Sequence, residues 1–337
     1  MKIGIIGAGS FGLALGVLLN SNGHKVTIWS RGTNEKEFEE VVKTRENKSK
    51  LPGVLIPKEV DFTKDIEKTV KENELIVLAV PSPGMRNTAK MIKEYVSDGK
   101  IIVNVTKGIE ADTLMTMSDI IEEEIPNCKV CILSGPTHAE EVGRGMPTSI
   151  VAGAKEKSIA EFVQNVFMNE SFRVYTSPDI LGIEIGSSLK NVIALAAGVA
   201  DGLGYGDNTK AAIITRGIAE ITRLGIKMGG KAETFSGLTG IGDLIVTCAS
   251  MHSRNRRAGI LIGEGKTMEE AMAEVKMVVE GVHSAKAAMQ LAKKYDVELP
   301  IIEQVNEILF NNKPAKEAVK GLMLRDKKAE IGVEFDD

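Results

Sequence analysis

The sequence predicts an α/β protein, a doubly wound and mostly parallel sheet followed by an all-α C-terminal domain. Three observations carry this expectation. Short apolar runs alternate with amphipathic stretches through the first half of the chain. Beyond Pro178 the strand pattern stops and helical periodicity takes over. A glycine-rich turn, Gly7-Ala8-Gly9-Ser10-Phe11-Gly12, joins the first apolar run to an apolar helix ending near Gly23.

In chain order, strands are expected at residues 2–6, 25–29, 75–80, 101–105, 130–133 and 149–152, with a last short one at 172–175. Amphipathic helices lie between several of them, at 84–95 and 113–124. The boundary falls near Ser177–Asp179, giving a dinucleotide-binding domain over 1–178 and a helical substrate-binding domain over 179–337. Helices in the second part are expected at 183–200, 209–224, 268–278, 284–294 and 301–310. The acidic tail at 334–337 reads as a frayed end.

Composition removes several function classes. A formal net charge of −4 and 4% aromatic residues give no basis for nucleic-acid binding, which needs basic surface and stacking platforms. Cys128 and Cys131 form a C-x-x-C, but on a strand that spacing sends the side chains to opposite faces, and no second pair exists. No metal site is expected, and the cysteines fit a reduced, cytoplasmic protein. No run of about 18 uninterrupted apolar residues predicts a membrane span. The apolar N-terminus could pass for a signal peptide, but its glycine spacing is better explained by a phosphate-binding turn.

That turn sits where a dinucleotide site requires it, after a strand and opening a helix. Gly7 allows the tight turn, Gly9 lets a pyrophosphate approach the backbone, and Gly12 lets helix and strand pack closely. Ser10 and Phe11 begin the helix, whose N-terminal N–H groups favour an anion. These features make the sheet domain Rossmann-like. The second strand ends Trp29-Ser30-Arg31, with no acid for the ribose hydroxyls of NAD. Arg31 suits the 2′-phosphate of NADP, so NADP(H) is expected to be accepted and preferred; the same residue also reads as a solvated loop charge.

Two further loops fall at the carboxyl ends of strands, where open α/β sheets bind ligands. Lys107 follows the strand at 101–105, and Gly135, Thr137, His138 and Ala139 follow the strand at 130–133. His138 has no visible carboxylate partner and reads as a satisfied or solvated histidine. In the helical part, Lys190 lies mid-helix on a face shared with Gly186, Ser187, Ala194 and Ala197, all small enough to leave room for a ligand. A snorkelling lysine is the bland alternative. Asp243 follows a Gly240-Ile241-Gly242 turn and could simply cap a helix. Ser253, Arg254, Asn255, Arg256 and Arg257 suggest a local anion site. Val278 and Glu280 carry no signal by pattern, and Glu280 reads as a surface charge.

Quoted together, GAGSFG at 7–12, TKGIE at 106–110, SGPTHAEEV at 134–142, LKNVIALAAGVADGLGYGDN at 189–208, GLTGIGDLIVTC at 237–248, HSRNRRAG at 252–259 and VEGV at 279–282 resemble bacterial NAD(P)-dependent sn-glycerol-3-phosphate dehydrogenases. The likeness runs in order from residue 1 to near 309. It implies NAD(P)H-dependent, reversible reduction of a phosphorylated triose, dihydroxyacetone phosphate, to sn-glycerol 3-phosphate for phospholipid synthesis. It also implies Lys190 as general acid/base, and substrate contacts from Lys107, Gly135, Thr137, Lys190, Asp243, Ser253, Arg254 and Asn255. Cofactor contacts would come from Ser10, Phe11, Arg31, Lys107, Ala139, Arg254, Val278 and Glu280 beside the glycines of the turn. The chain departs from the family's usual residues at Pro83-Gly84-Met85 and at His138. The oligomeric state stays open, with a homodimer allowed. Two rival readings of the sequence are a hydroxyacid dehydrogenase of the same plan, which would bind a carboxylate, and a dinucleotide sensor without turnover.

Overall fold

Strands that read as continuous Ile, Val and Leu runs need cover on both faces, and helices supply it. The computed structural model of the chain describes residues 1–32, 35–327 and 330. Its sheet contains β1 (Lys2–Ile6), β2 (Lys25–Trp29), β3 (Asp61–Thr63), β4 (Leu75–Leu78), β5 (Ile101–Asn104), β6 (Lys129–Ser134), β7 (Thr148–Ala154) and β8 (Phe172–Ser177). The order is β3-β2-β1-β4-β5-β6-β7-β8, parallel throughout except for the antiparallel β6–β7 pair. β1 pairs with β2 on one side and β4 on the other, Ile3 lying opposite Val26 and Leu75. The order therefore reverses at β1, and the crevice outside its carboxyl end is where such sheets bind ligands.

Around the sheet lie α1 (Ser10–Ser21), α2 (Glu35–Thr44), α3 (Ile66–Lys71), α4 (Met85–Ile92), α5 (Met117–Glu124), α6 (Ala139–Gly143) and α7 (Lys157–Phe167). Two differences from the sequence expectation have local causes. β3 is a three-residue edge strand with no fully buried residue, so it lacks the apolar run that marks its neighbours. α5 starts at Met117 because Thr116 and Asp119 form a capping box there, and Leu114 just upstream has φ 61°, outside the helical region.

Every described element after β8 is helical: α8 (Ile180–Gly202), α9 (Asp207–Met228), α10 (Ala232–Phe235), a single π-helical turn (Leu238–Gly242), α11 (Asp243–Ala249), α12 (Arg254–Gly263), α13 (Met268–Val275), α14 (Glu280–Tyr295), α15 (Pro300–Phe310) and α16 (Ala315–Met323). α13 stops three residues short of the expected end because Lys276 adopts a left-handed conformation, φ 56°. The backbone at Val278 is thereby freed from the helix. The expected frayed tail at 334–337 lies outside the described residues.

α8 is the axis of the second half and packs against α9, α11, α12, α14 and α15. It is long and apolar enough to cross a membrane by length and composition, but 83% of its most apolar window is packed inside the protein. Its contact with α12 is backbone against backbone: a Cβ on Gly198 would collide with the Arg256 carbonyl, and one on Gly259 with the Leu195 carbonyl. The small-residue face around Lys190 is not ligand clearance. Ala194 and Ala197 are fully buried, and Gly186 abuts the Thr239 carbonyl in the turn before α11. Helix packing, not a ligand, accounts for those small residues. Cys128, Cys131 and Cys248 are all free, and burial pushes the thiols of Cys131 and Cys248 up to about 12.

Candidate active site

The three glycines of the first turn have three different surroundings. Gly7 has φ 120° and sits so close to Ala79 that a side chain would strike its carbonyl. Gly12 abuts the Gly7 carbonyl, which brings α1 down onto the strand end. Gly9 has open space where a Cβ would be, and as N-cap of α1 it offers no side chain to satisfy the helix's first N–H groups. A cradle with free donors, an open approach and a helix dipole fits the pyrophosphate of a dinucleotide. Arg31 is exposed just beyond β2.

A buried charge cluster ties the loops after β5 and β6 to the helical part. The Lys190 ammonium, on α8, donates to Oδ1 of Asp243 and to the Thr247 hydroxyl at 2.7 Å. Lys107, in the loop after β5, donates to Oδ2 of Asp243 at 2.7 Å and to the Gly135 carbonyl at 2.9 Å. Lys190 is 5% exposed and Asp243 only 1%. Burial lowers the Lys190 pKa to about 7; the positive charge of Lys107 acts the same way, and Asp243 opposes both. Burial alone would raise the Asp243 pKa, but the two lysines outweigh it and hold the carboxyl below its ordinary value. Asp243 opens α11 without capping it, because its carboxylate is turned away to the lysines.

The third part is the start of α12. Ser253 is its N-cap, accepting the Arg256 N–H at 3.2 Å. Arg254 donates to the carbonyl of Val278 at 3.3 Å, the backbone freed by the end of α13. Asn255 is tied at both ends of its amide, donating to Asn191 at 3.0 Å and accepting the Gly281 N–H at 2.8 Å. Arg256 pairs with Asp201 at 2.8 Å. The three arginines are therefore not one anion site, since neighbouring helix positions face different ways. Glu280 is no surface charge: its carboxylate accepts the Ser82 N–H at 3.1 Å and the Ser82 hydroxyl, across 198 positions of chain.

Comparison with known proteins identifies the family. Residues 2–160 match the model described as the NAD-dependent glycerol-3-phosphate dehydrogenase N-terminus, and residues 179–320 match its C-terminus. The chain belongs to the NAD-dependent glycerol-3-phosphate dehydrogenase family. It is 61% identical over 333 residues to glycerol-3-phosphate dehydrogenase [NAD(P)+] of Fusobacterium nucleatum, covering 98% of this chain and 99% of that one. It is 64% identical over 329 residues to the protein of that name from Agathobacter rectalis, covering 98% and 97%. The crystal structure of glycerol-3-phosphate dehydrogenase from Coxiella burnetii superposes with a TM-score of 0.92 at 33% identity, over 96% of this chain and 99% of that one.

Within this family member, the fold gathers Lys107, Gly135, Lys190 and Asp243 at one point, and brings the Arg254, Val278 and Glu280 segments together beside it. Thr137, whose hydroxyl donates to the Gly135 carbonyl at 3.1 Å, and Ala139 lie on the same loop and helix start. Sequence reading missed Thr247 and Asn191. Thr247 is one helical turn beyond Asp243 and shares its grip on Lys190, so the D-x-x-x-T spacing was the available signal. Asn191 follows Lys190 directly and anchors Asn255. Among the described residues, no group of three or more His, Cys, Asp and Glu side chains could hold a metal ion.

Proposed function

We propose that the chain catalyses reversible reduction of dihydroxyacetone phosphate to sn-glycerol 3-phosphate with NADPH or NADH. The observation that carries this reading is the Lys190–Asp243–Lys107 cluster, buried opposite a dinucleotide turn in a chain of this family. We divide the chain at 178/179 into a cofactor-binding and a substrate-binding domain.

When bound, the nicotinamide cofactor supplies or accepts the hydride, and Gly7, Gly9, Ser10, Phe11, Gly12, Arg31, Ala139, Val278 and Glu280 are assigned to holding it. The remaining chemistry belongs to this chain's side chains. A ketone taking up hydride develops negative charge on oxygen, which needs a proton and a nearby positive field. A charged Lys190 has three N–H bonds; Asp243 and Thr247 accept two, leaving one for the ketone oxygen. The same nitrogen, neutral, takes the alcohol proton in the oxidative direction. Lys107 adds positive field to the developing alkoxide. Arg254, at the head of α12 with Ser253 and Asn255, is assigned to the substrate phosphate. Thr137 and Gly135 shape the loop against which the triose lies. Free cysteines agree with a cytoplasmic setting, where the product would feed phospholipid synthesis.

The test is initial-rate NADPH oxidation with dihydroxyacetone phosphate for wild type and Lys190→Ala. Wild type turns over, and the variant binds NADPH normally by fluorescence titration but loses roughly a hundredfold or more in kcat. A variant with unimpaired kcat returns Lys190 to a packing role.

A further inference from the structure

Three segments far apart in the chain meet beside Lys107. The first is the loop after β4, where Ser82–Gly84 makes a short 3-10 turn behind Pro81. Pro83 suits that turn because its φ is fixed, and the N–H of Ser82, at the turn's start, finds no partner within it. The second is Glu280, the first residue of α14, whose Oε1 accepts that N–H at 3.1 Å and whose Oε2 accepts the Ser82 hydroxyl. The third is Gly108, which follows Lys107 directly and is buried against this pair. A Cβ on Gly108 would collide with that of Ser82, lie 2.6 Å from the hydroxyl oxygen and come within 3.7 Å of Oε2 of Glu280. Gly108 does not have a positive φ, so what glycine provides there is close approach. On the other side of Lys107, the Thr106 hydroxyl donates to the Val80 carbonyl at 2.7 Å. Lys107 therefore leaves a loop that is pinned to the loop after β4 on both sides, and Glu280 ties one of those pins to the helical half.

We propose that Ser82 is a positioning residue for the reaction: bound to Glu280, it forms the surface on which Gly108 rests, and so sets where Lys107 meets Asp243. This rests on dihydroxyacetone phosphate and sn-glycerol 3-phosphate being the reacting pair. Among the described residues, no hydrogen bond joins Ser82 to Lys107, Lys190 or Asp243, so its influence passes through the loop. Removing the hydroxyl leaves Oε2 of Glu280 without its donor and loosens the seat of Gly108. A displaced Lys107 gives less positive field at the developing alkoxide, and it no longer holds down the pKa of Lys190. The charged and titratable groups facing Lys190 are Lys107, His138 before α6, and Asp243 and Cys248 on α11. Of these, Lys107 alone stands on the loop that Gly108 continues.

The experiment records kcat/KM for sn-glycerol 3-phosphate against pH in wild type, Ser82→Ala, Gly108→Ala, Lys107→Met and the double variant Ser82→Ala/Lys107→Met. Saturating NADP removes any change in cofactor affinity that passes through Glu280. Ser82→Ala should lose roughly tenfold, the worth of a hydrogen bond to a charged group. Its inflection should move to higher pH, as that of Lys107→Met does. Gly108→Ala keeps both partners of Glu280 and displaces the loop from the other side, and it should shift the inflection the same way. In the Lys107→Met background, Ser82→Ala should cost less than about twofold, because the group it positions is already gone. An inflection unmoved in either Ser82→Ala or Gly108→Ala overturns the proposal. A double variant whose loss equals the product of the two single losses overturns it as well. Wild type without turnover of sn-glycerol 3-phosphate would instead overturn the functional reading itself.

Discussion

Lys190 and Asp243 form an ion pair withdrawn from solvent, and the free oxygen of that carboxylate is taken by a second lysine, Lys107. Two ammonium groups on one carboxylate leave the cluster with excess positive charge, which burial makes costly. Lys190 relieves it by titrating near neutrality, its pKa lowered to about 7 by burial first and Lys107 next. In the oxidative direction the amine must be neutral, so kcat/KM for sn-glycerol 3-phosphate rises as pH increases through about 7. In the reductive direction it must be charged, and kcat/KM for dihydroxyacetone phosphate falls over the same range. Asp243→Asn removes the group that opposes the lowering, so both inflections move to lower pH. Profiles recorded in both directions for the two proteins check this; a shift to higher pH contradicts it.

Arg31 is exposed just beyond the end of β2, where an acid would favour NAD, and we propose that its charge meets a 2′-phosphate. Wild type should use NADPH with higher kcat/KM than NADH. Arg31→Asp should lower the NADPH to NADH ratio by roughly tenfold to a hundredfold, the worth of a charge-assisted hydrogen bond. The two ratios, measured at one ionic strength, decide it. An NAD preference unchanged by the substitution makes Arg31 a solvated loop charge.

Glu184 joins the two halves of the chain from α8, accepting the Ser118 N–H at 2.9 Å and the Ser118 hydroxyl at the start of α5. Burial raises its pKa from 4.5 to about 7, against the hydrogen bonds from Ser118. A carboxyl whose folded pKa lies above the unfolded value contributes stability that is complete below 4.5 and lost as pH rises through about 7. Glu184→Gln keeps an acceptor for the Ser118 N–H and cannot ionise. Its Tm relative to wild type should therefore climb with pH across that window, by the equivalent of on the order of a few kcal/mol. Thermal melts across the range test it, and a difference independent of pH rules it out.

How far these features could be read in advance depends on whether the physics is local. The Gly7–Gly12 turn was legible because strand, turn and helix follow one another directly, and each glycine answers a constraint within the motif or at the adjacent strand end. The doubly buried strands were legible from their apolar runs, whereas β3, a half-exposed edge, was not. Lys190 and Asp243 were each visible, the first as a mid-helix lysine beside room for a ligand and the second as a possible helix cap; 53 positions of chain separate them, and no periodicity encodes their pairing. Glu280 reads as a surface charge until Ser82 meets it, and His138 as satisfied until its nitrogen is found buried without a partner. The small residues flanking Lys190 misled in the other direction, because a helix packed against backbone needs the same small side chains as a helix lining a ligand.

That last ambiguity supplies a test in which two physical effects predict opposite signs. Gly198 lies in the interior of α8, where helix propensity favours Ala over Gly by about 1 kcal/mol. The Cβ of that alanine would strike the carbonyl of Arg256, and main-chain atoms of a packed helix cannot swing aside. Overpacking costs typically about 1–3 kcal/mol, so the collision should win and Gly198→Ala should melt below wild type. Relief is available only by moving α12 away from α8, and α12 carries Arg254. The KM for dihydroxyacetone phosphate should therefore rise, while the affinity of the glycine turn for NADPH, built on other elements, stays put. A variant that melts higher than wild type would mean that the helices part without strain. The spacing between Lys190 and Arg254 would then not be set by the glycine contact.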